Sequence, residues 1–188
     1  MFTLTRAQIV LLVSILIVLV GVGWYTWTVY ERNRAANQPA SAARAALQTT
    51  PGSAYTDLDG NPIYLDDYLG GALVVNSWAS WCPLCASELK TIAKVAKEYQ
   101  EQPVAFLAIN RAEPGQRAQR FLDVMGVSRD ILLVLDPTDR YYDHIGGYTM
   151  PETIFYDRAG NIVHHQRGEL TEKQVVGYLE AALKVPQE

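Results

Sequence analysis

The chain has 188 residues, of which 49% are hydrophobic and 19% charged, a balance typical of a folded protein rather than a disordered one. This length accommodates one ordinary domain and leaves no room for a second full one. The net charge of −4 at pH 7 argues against the basic surface by which proteins bind DNA or RNA, so we expect no nucleic-acid partner.

A long apolar segment lies near the N-terminus. The run from Ile9 to Tyr30 contains no ionised side chain, and a helix rising about 1.5 Å per residue would cross a hydrocarbon core of about 30 Å over this length. Aromatic residues crowd the end of the run, as at a membrane interface: Trp24, Tyr25, Trp27 and Tyr30. Residues 1–30 are therefore predicted to form an N-terminal tail and transmembrane anchor.

The fate and the orientation of this segment each have an alternative. A cleaved signal peptide would have an apolar region of about 7–15 residues, and this run is longer, so we favour a retained anchor. Only Arg6 precedes the predicted helix, whereas Arg32 and Arg34 follow it closely. This count of positive charges would place the C-terminal part of the chain inside the cytoplasm.

The remainder of the chain divides into a spacer and a globular domain. Residues 31–54 are rich in Ala, Gln, Asn, Ser and Pro and have few groups that could form a core, which predicts a flexible spacer. Residues 55–188 contain the periodic apolar segments of a folded domain. This domain is predicted to open with a short hairpin that turns at Asp59–Pro62.

Strand and helix patterns then alternate along the domain. Apolar runs predict strands and helically spaced apolar residues predict helices, in this order: a strand at Leu73–Val75, a helix through Leu89–Tyr99, a strand at Val104–Ile109, a helix through Ala118–Met125, a strand at Ile131–Leu135, an antiparallel pair at Thr153–Tyr156 and Asn161–His165, and a helix from Thr171. Parallel strand-helix-strand units followed by a hairpin predict an α/β fold whose mixed sheet is covered by helices on both faces.

The two cysteines of the chain form one motif, Cys82-Pro83-Leu84-Cys85, directly after a predicted strand and at the head of a predicted helix. There, unpaired backbone N–H groups and the helix dipole stabilise a thiolate, so Cys82 is the predicted nucleophile. Cys85, one turn further on, is the predicted resolving thiol and the more buried of the pair. Pro83 falls near the first helical position, where its missing N–H costs nothing.

Other uses of this cysteine pair fit less well. A structural zinc site needs four ligands, and the chain has no second cysteine pair. A c-type haem attachment site needs His where Ala86 stands. A purely structural disulfide would close too small a loop to remove much entropy from the unfolded chain. We therefore expect a redox-active disulfide, no metal and no further cofactor.

Two segments carry a resemblance to a known family. The stretch from Asn76 to Cys85, Asn-Ser-Trp-Ala-Ser-Trp-Cys-Pro-Leu-Cys, resembles the active site of the thioredoxin superfamily, and most of all its membrane-anchored TlpA-like branch, which includes the ResA-like and DsbE/CcmG-like proteins. Asn76 stands where cytosolic thioredoxins have a buried Asp. The stretch from Gly147 to Thr153, Gly-Tyr-Thr-Met-Pro-Glu-Thr, resembles the loop that presents the family's cis-proline. The resemblance covers about residues 55–188 and implies a thioredoxin-like fold.

The resemblance also implies where a substrate would bind. A cis bond before Pro151 would turn the backbone of Met150 so that the backbone of a substrate can dock beside the sulfurs. Thr149, Met150 and Pro151 are therefore the predicted substrate-binding residues of this loop. Trp81 and Pro83, beside the first cysteine, are the predicted substrate contacts of the motif.

Glu88 and two histidines complete the set of candidate residues. Glu88 matches the acid that TlpA-like and ResA-like proteins place near their cysteines, and it could relay a proton to or from Cys85. The alternative is a solvated acid in the first helical turn, stabilised by the helix dipole, and both remain open. Lys90 departs from the family, which often has Pro at this position.

His164 and His165 are predicted to project to opposite faces of one strand rather than bind a metal together.

The resemblance implies a membrane-anchored thiol-disulfide oxidoreductase acting as a protein-disulfide reductase. Its expected partners are extracytoplasmic protein disulfides, such as those of apocytochrome c during cytochrome c maturation, and a membrane thiol that donates electrons. The domain would face the periplasm or the cell exterior, against the arginine count. The alternatives are a disulfide oxidase or isomerase, and a thiol module that binds a metal such as Cu(I) or haem or that senses redox state.

Overall fold

The computed structural model of the chain describes residues 8, 16, 18–29, 55–127 and 130–185. The chain divides into two compact units, Met1–Pro39 and Ala40–Glu188.

The described part of the first unit is helical. Residues 18–29 form helix and expose large apolar side chains. Within the described residues, no helix combines the length and the apolar character needed to cross a membrane. Most of residues 1–17 and the whole predicted spacer, residues 31–54, lie outside the described residues.

The second unit contains a five-stranded mixed sheet, as predicted. Its strands are β1 (Ala72–Trp78), β2 (Val104–Arg111), β3 (Leu132–Asp136), β4 (Glu152–Tyr156) and β5 (Ile162–Arg167). They lie side by side in the order β3-β2-β1-β4-β5. The β1–β2 and β2–β3 pairs are parallel, whereas β4 is antiparallel to both β1 and β5.

Helices cover both faces of this sheet. Among the described residues of this unit they are a 3₁₀ helix (Leu65–Tyr68) and four α-helices, α1 (Cys85–Glu98), α2 (Gly115–Met125), α3 (Arg140–His144) and α4 (Glu172–Lys184). Apolar residues of α1, α2 and α4 share one buried cluster, and those of α3 and the 3₁₀ helix share the other. The predicted α/β architecture is therefore confirmed for the described part of this unit.

The central position of β1 explains its sequence. All seven of its residues are buried, since neighbouring strands flank it and helices pack on both of its faces. The edge strand β5 instead has partly exposed residues, and its two histidines separate as predicted. His164 stacks on Tyr178 of α4, whereas the Nε2 of His165 lies 2.7 Å from the Glu152 carboxylate. They do not form one ligand pair.

The predicted opening hairpin is present and reaches the edge of the sheet. Thr56 and Pro62 form an antiparallel bridge across a turn in which the N–H of Asp57 donates to the carbonyl of Asn61. The backbone of Thr56 also donates to and accepts from Leu135 of β3, at 3.2 and 2.7 Å. The hairpin therefore covers part of the outer edge of β3.

Two predicted helix boundaries are confirmed. Thr171 precedes α4, and its backbone N–H donates to the side-chain oxygen of Gln174 at 3.1 Å, as in a capping box. Helix α2 ends at Gly126, whose φ of 64° is left-handed and suits glycine best. Both boundaries follow from local chemistry, which is why the sequence pattern locates them.

Two glycines provide a matched test of packing. A Cβ on Gly71 would lie 2.2 Å from the carbonyl oxygen of Pro103, whereas a Cβ on Gly177, exposed in α4, meets nothing within 4 Å. We expect Gly71→Ala to lower the free energy of unfolding by about 1–3 kcal/mol through overpacking. Gly177→Ala should raise it by about 0.5–1 kcal/mol through helix propensity. Urea unfolding of both variants measures this, and equal effects would contradict the packing described.

Candidate active site

The CxxC motif lies in the turn that joins β1 to α1. The N–H of Cys82 donates to the carbonyl of Ala79 at 3.1 Å, and the N–H of Cys85 donates to the carbonyl of Cys82 at 3.3 Å. The helix begins at Cys85, so our prediction that Cys82 and Pro83 occupy its first turn was wrong by about one turn. Tight i to i+3 bonding explains the delay. Cys82 lies three residues before the first residue of α1.

The two cysteines are joined by a disulfide, and their Cα atoms are 5.4 Å apart. Cys85 is fully buried, whereas Cys82 retains 3% of its exposure. The predicted order of burial is confirmed. Both sulfurs belong to the apolar cluster on the α1 side of the sheet.

Exposed apolar residues lie next to the cysteines of this nearly buried disulfide along the chain, and we call them the rim. Trp81 is 61% exposed and Leu84 is 49% exposed, and Pro83 between them is also exposed. Trp78, at the end of β1, is instead fully buried and stacks on Phe121 of α2. Unlike Trp78, the rim residues are not part of the core, and their exposed surfaces are free to contact another molecule.

A second loop reaches the same end of the sheet. Antiparallel pairing sets Ser77 of β1 opposite Glu152 of β4, so the residues that precede β4 lie beside the turn that follows β1. The Met150–Pro151 bond is cis, as predicted. The side chain of Met150 packs against the cluster that contains both cysteines.

Hydrogen bonds within the chain engage most of the backbone of this loop. The N–H groups of Tyr148 and Thr149 donate to Oε1 of Glu152 at 2.9 and 3.0 Å, and the hydroxyl of Tyr142 donates to the carbonyl of Thr149 at 2.7 Å. No described residue forms a hydrogen bond with the N–H or the carbonyl of Met150. Met150 therefore presents a free backbone donor and acceptor.

Glu88 lies on α1, one turn after Cys85, and is fully buried. Its Oε1 accepts a hydrogen bond from the hydroxyl of Thr153 at 2.6 Å and a longer one from the side-chain amide of Asn76 at 3.3 Å. Burial raises the pKa of Glu88 to about 7, and the Thr153 hydrogen bond opposes part of this rise. The alternative of a solvated first-turn acid is therefore wrong.

A further buried acid, Glu113, supports the motif and was missed by sequence reasoning. Its carboxylate accepts the N–H and the hydroxyl of Ser80 at 2.7 and 2.5 Å, and the side-chain amide of Asn110 at 2.8 Å. Burial alone would raise the pKa of Glu113, but the hydrogen bonds from Ser80 and Asn110 outweigh it and hold the pKa below its usual value. No motif joins Glu113 to Ser80, so the sequence carried no signal for this contact.

Glu152 was also missed, although it lies within the Pro-Glu-Thr stretch on which the resemblance rests. It is fully buried, and its second oxygen is 2.7 Å from Nε2 of His165. Burial raises its pKa, but hydrogen bonds from His165, Tyr148 and Thr149 more than offset that effect, and the net pKa lies below the usual value. Glu152 therefore remains ionised at neutral pH.

The fold and the site define a thioredoxin-fold protein with a CxxC disulfide beside a cis-proline loop. A family model described as Redoxin matches residues 36–183, so the chain belongs to the Redoxin family. It is 35% identical over 140 residues to the thiol-disulfide oxidoreductase ResA of Halalkalibacterium halodurans, across 74% of this chain and 78% of that protein. The protein is therefore a ResA-type thiol-disulfide oxidoreductase.

Solved structures agree on the fold. DsbF of MTB, in its mixed oxidized and reduced forms, superposes with a TM-score of 0.64 at 24% identity, covering 73% of this chain and 97% of that one. A secreted Mycobacterium tuberculosis disulfide oxidoreductase homologous to E. coli DsbE gives a TM-score of 0.62 at 21% identity, covering 73% and 98%. The predicted thioredoxin-like fold is confirmed.

The raised pKa of Glu88 predicts a pH-dependent stability. Because the folded protein holds this proton up to about pH 7, whereas an unfolded Glu releases it near pH 4.5, the free energy of unfolding should fall as pH rises from about 5 to about 7.5. The loss is on the order of 3 kcal/mol. Glu88→Gln should abolish this loss. Urea unfolding of the oxidised protein at several pH values measures it.

The control is Glu98→Gln, since Glu98 is an exposed acid on the same helix. This variant should retain the pH dependence of the wild-type protein. An unchanged slope in Glu88→Gln would show that Glu88 does not titrate in this range.

Proposed function

We propose that the protein is a membrane-tethered reductase of extracytoplasmic protein disulfides, in which Cys82 is the nucleophile and Cys85 the resolving thiol. The single observation that carries this proposal is the Cys82–Cys85 disulfide, in which Cys85 is fully buried and Cys82, 3% exposed, lies between the exposed residues Trp81 and Pro83 in the chain. Cys82 also lies on the N-terminal side of α1, three residues before its first residue, where the helix dipole favours a thiolate.

The reductive cycle moves two electrons. In the reduced protein, the Cys82 thiolate attacks one sulfur of a substrate disulfide, forms a mixed disulfide and releases the other substrate sulfur as a thiolate. The Cys85 thiolate then attacks the sulfur of Cys82, restores the Cys82–Cys85 disulfide and releases the second substrate thiolate. The substrate takes up two electrons and two protons, and an external thiol must reduce the protein again.

Glu88 is proposed to accept the proton of the Cys85 thiol. Resolution requires the buried Cys85 thiol to lose its proton before it can attack. A carboxyl with a pKa of about 7, one helical turn away, is partly ionised at neutral pH and is suited to accept this proton. Thr153 and Asn76 orient the carboxylate through their hydrogen bonds.

A substrate is proposed to dock on the loop of residues 147–151. The free N–H and carbonyl of Met150 can pair with the backbone of an extended substrate. Thr149 and Pro151 flank that position, and the backbone groups of Thr149 are already engaged within the chain. The exposed Trp81 and Pro83 would contact substrate side chains.

The cellular role is proposed from the resemblance and from the ResA relative. We infer that the substrates are extracytoplasmic protein disulfides, such as those of apocytochrome c during cytochrome c maturation, and that a membrane thiol carrier supplies electrons. The apolar run from Ile9 to Tyr30 supports an anchor in the cytoplasmic membrane, with the domain in the periplasm or outside the cell. The disulfide pair alone accounts for the chemistry, so we propose no cofactor or metal.

The roles of the two cysteines are tested by exchanging each one in the full-length protein. Cys82→Ser should abolish the reduction of insulin disulfides, because no nucleophile remains. Cys85→Ser should instead accumulate a mixed disulfide with the substrate, because resolution is blocked. A turbidity assay measures the reduction of insulin, and mass measurement under non-reducing conditions detects the mixed disulfide. Full turnover by Cys82→Ser, or a mixed disulfide trapped on Cys85, would refute the assignment.

The proposed orientation is tested by reporter fusion. Alkaline phosphatase joined after residue 188 of the full chain should be active, because that enzyme needs an oxidising extracytoplasmic environment to form its disulfides. A matched fusion to β-galactosidase should be inactive. The reverse pattern would place the domain in the cytoplasm, as the count of flanking arginines does.

A further inference from the structure

We propose that Glu152 and Tyr142 are positioning residues that hold the loop of residues 147–151 so that, within this loop, Met150 alone offers both a backbone N–H and a backbone carbonyl to a substrate. The inference rests on the proposed function, since it names the residues that hold the proposed docking loop in place. Neither residue needs to touch the sulfurs. Both act through the main chain of Tyr148 and Thr149.

Glu152 is built to hold this loop from the sheet side. It is the first residue of β4 and is fully buried, which is costly for a carboxylate unless donors surround it. Two of its donors are the loop N–H groups of Tyr148 and Thr149. On the β5 side, its other oxygen lies 2.7 Å from Nε2 of His165 and 4.0 Å from Nε of Arg167. Strand β5 therefore fixes the carboxylate that fixes the loop.

Tyr142 holds the same loop from α3. Its hydroxyl donates to the carbonyl of Thr149 at 2.7 Å, and its ring packs so closely on Gly147 that a Cβ there would lie 2.4 Å from a ring carbon. The guanidinium carbon of Arg111 lies 3.2 Å from the ring centroid, and Asp139 pairs with that guanidinium. The orientation of the phenol is therefore fixed by contacts outside the loop.

The consequence is a single register for an incoming chain. Unless Glu152 and Tyr142 engaged them, the N–H groups of Tyr148 and Thr149 and the carbonyl of Thr149 would be free to pair with a substrate. An extended peptide could then dock one or two residues away from Met150, with its disulfide displaced from Cys82. Loosening the loop should therefore weaken productive peptide docking and leave thiol exchange itself intact.

This separation can be measured with two disulfides of different kinds. Insulin presents a peptide backbone, whereas dithiobis(nitrobenzoic acid) has none. In the reduced full-length protein, Glu152→Ala should raise KM for insulin about tenfold, since it removes two hydrogen bonds to a charged group. Tyr142→Phe removes one hydroxyl and should raise KM about threefold. Both variants should keep kcat for insulin, and the rate with the aromatic disulfide, within about twofold of wild type.

Conservative and remote variants complete the test. Glu152→Gln keeps an acceptor for the two loop N–H groups and should restore KM most of the way to the wild-type value. Glu98→Ala, on the exposed side of α1, should change neither rate. If Glu152→Ala fails to fold, Tyr142→Phe decides the matter, since it preserves the ring and its packing.

The outcomes distinguish this inference from the proposed function. Wild-type KM values for insulin in both Glu152→Ala and Tyr142→Phe, or equal losses with both disulfides, would overturn the positioning role while leaving the reductase assignment intact. A wild-type protein that exchanges with neither disulfide would refute the proposed function, and this inference with it.

Discussion

The antiparallel pairing of β1 with β4 is the constraint on which the rest of the site depends. One register sets Asn76 opposite Thr153 and Ser77 opposite Glu152. It brings the turn after β1, which contains the disulfide, to the loop before β4, which contains Met150. The same register places Thr153 where its hydroxyl can bond the carboxyl of Glu88 on α1. A slip of one residue would turn the side chains of Glu152 and Thr153 to the opposite face of the sheet. This register therefore fixes together the turn that contains the disulfide, the contact of Thr153 with Glu88 and the loop before β4.

Three buried glutamates show how the hydrogen-bond donors around a carboxyl group decide whether it is ionised. Glu152 and Glu113 each accept hydrogen bonds from backbone N–H groups and from side chains, and for each the pKa is held below its usual value. Glu88 has one short bond from a hydroxyl, a longer one from an amide and a backbone contact with Leu170 that lowers its pKa less than the hydroxyl does, and burial prevails over all three. The chain thus uses one residue type both as a fixed anion and as a group that can exchange a proton near neutrality.

Sequence patterns predicted those features that depend on neighbours along the chain. The CxxC motif, the buried strand β1 and the cap at Thr171 each follow from a few adjacent residues, and the family resemblance supplied the cis-proline. The beginning of α1 was misplaced because i to i+3 bonds, which have no sequence signature, delay the helix. The contact of Glu113 with Ser80 joins residues 33 positions apart. Such contacts are set by the packing of strands and loops, which periodicity does not encode.

The hairpin at Thr56 has a consequence for the choice of partner. An uncovered edge strand can pair with an extended polypeptide through its free backbone groups. Two backbone hydrogen bonds between Thr56 and Leu135, one in each direction, occupy the outer side of β3, on the flank of the sheet away from β4. An extended chain is therefore unable to pair with β3 at that point, and under the proposed function this favours its binding at the loop before β4.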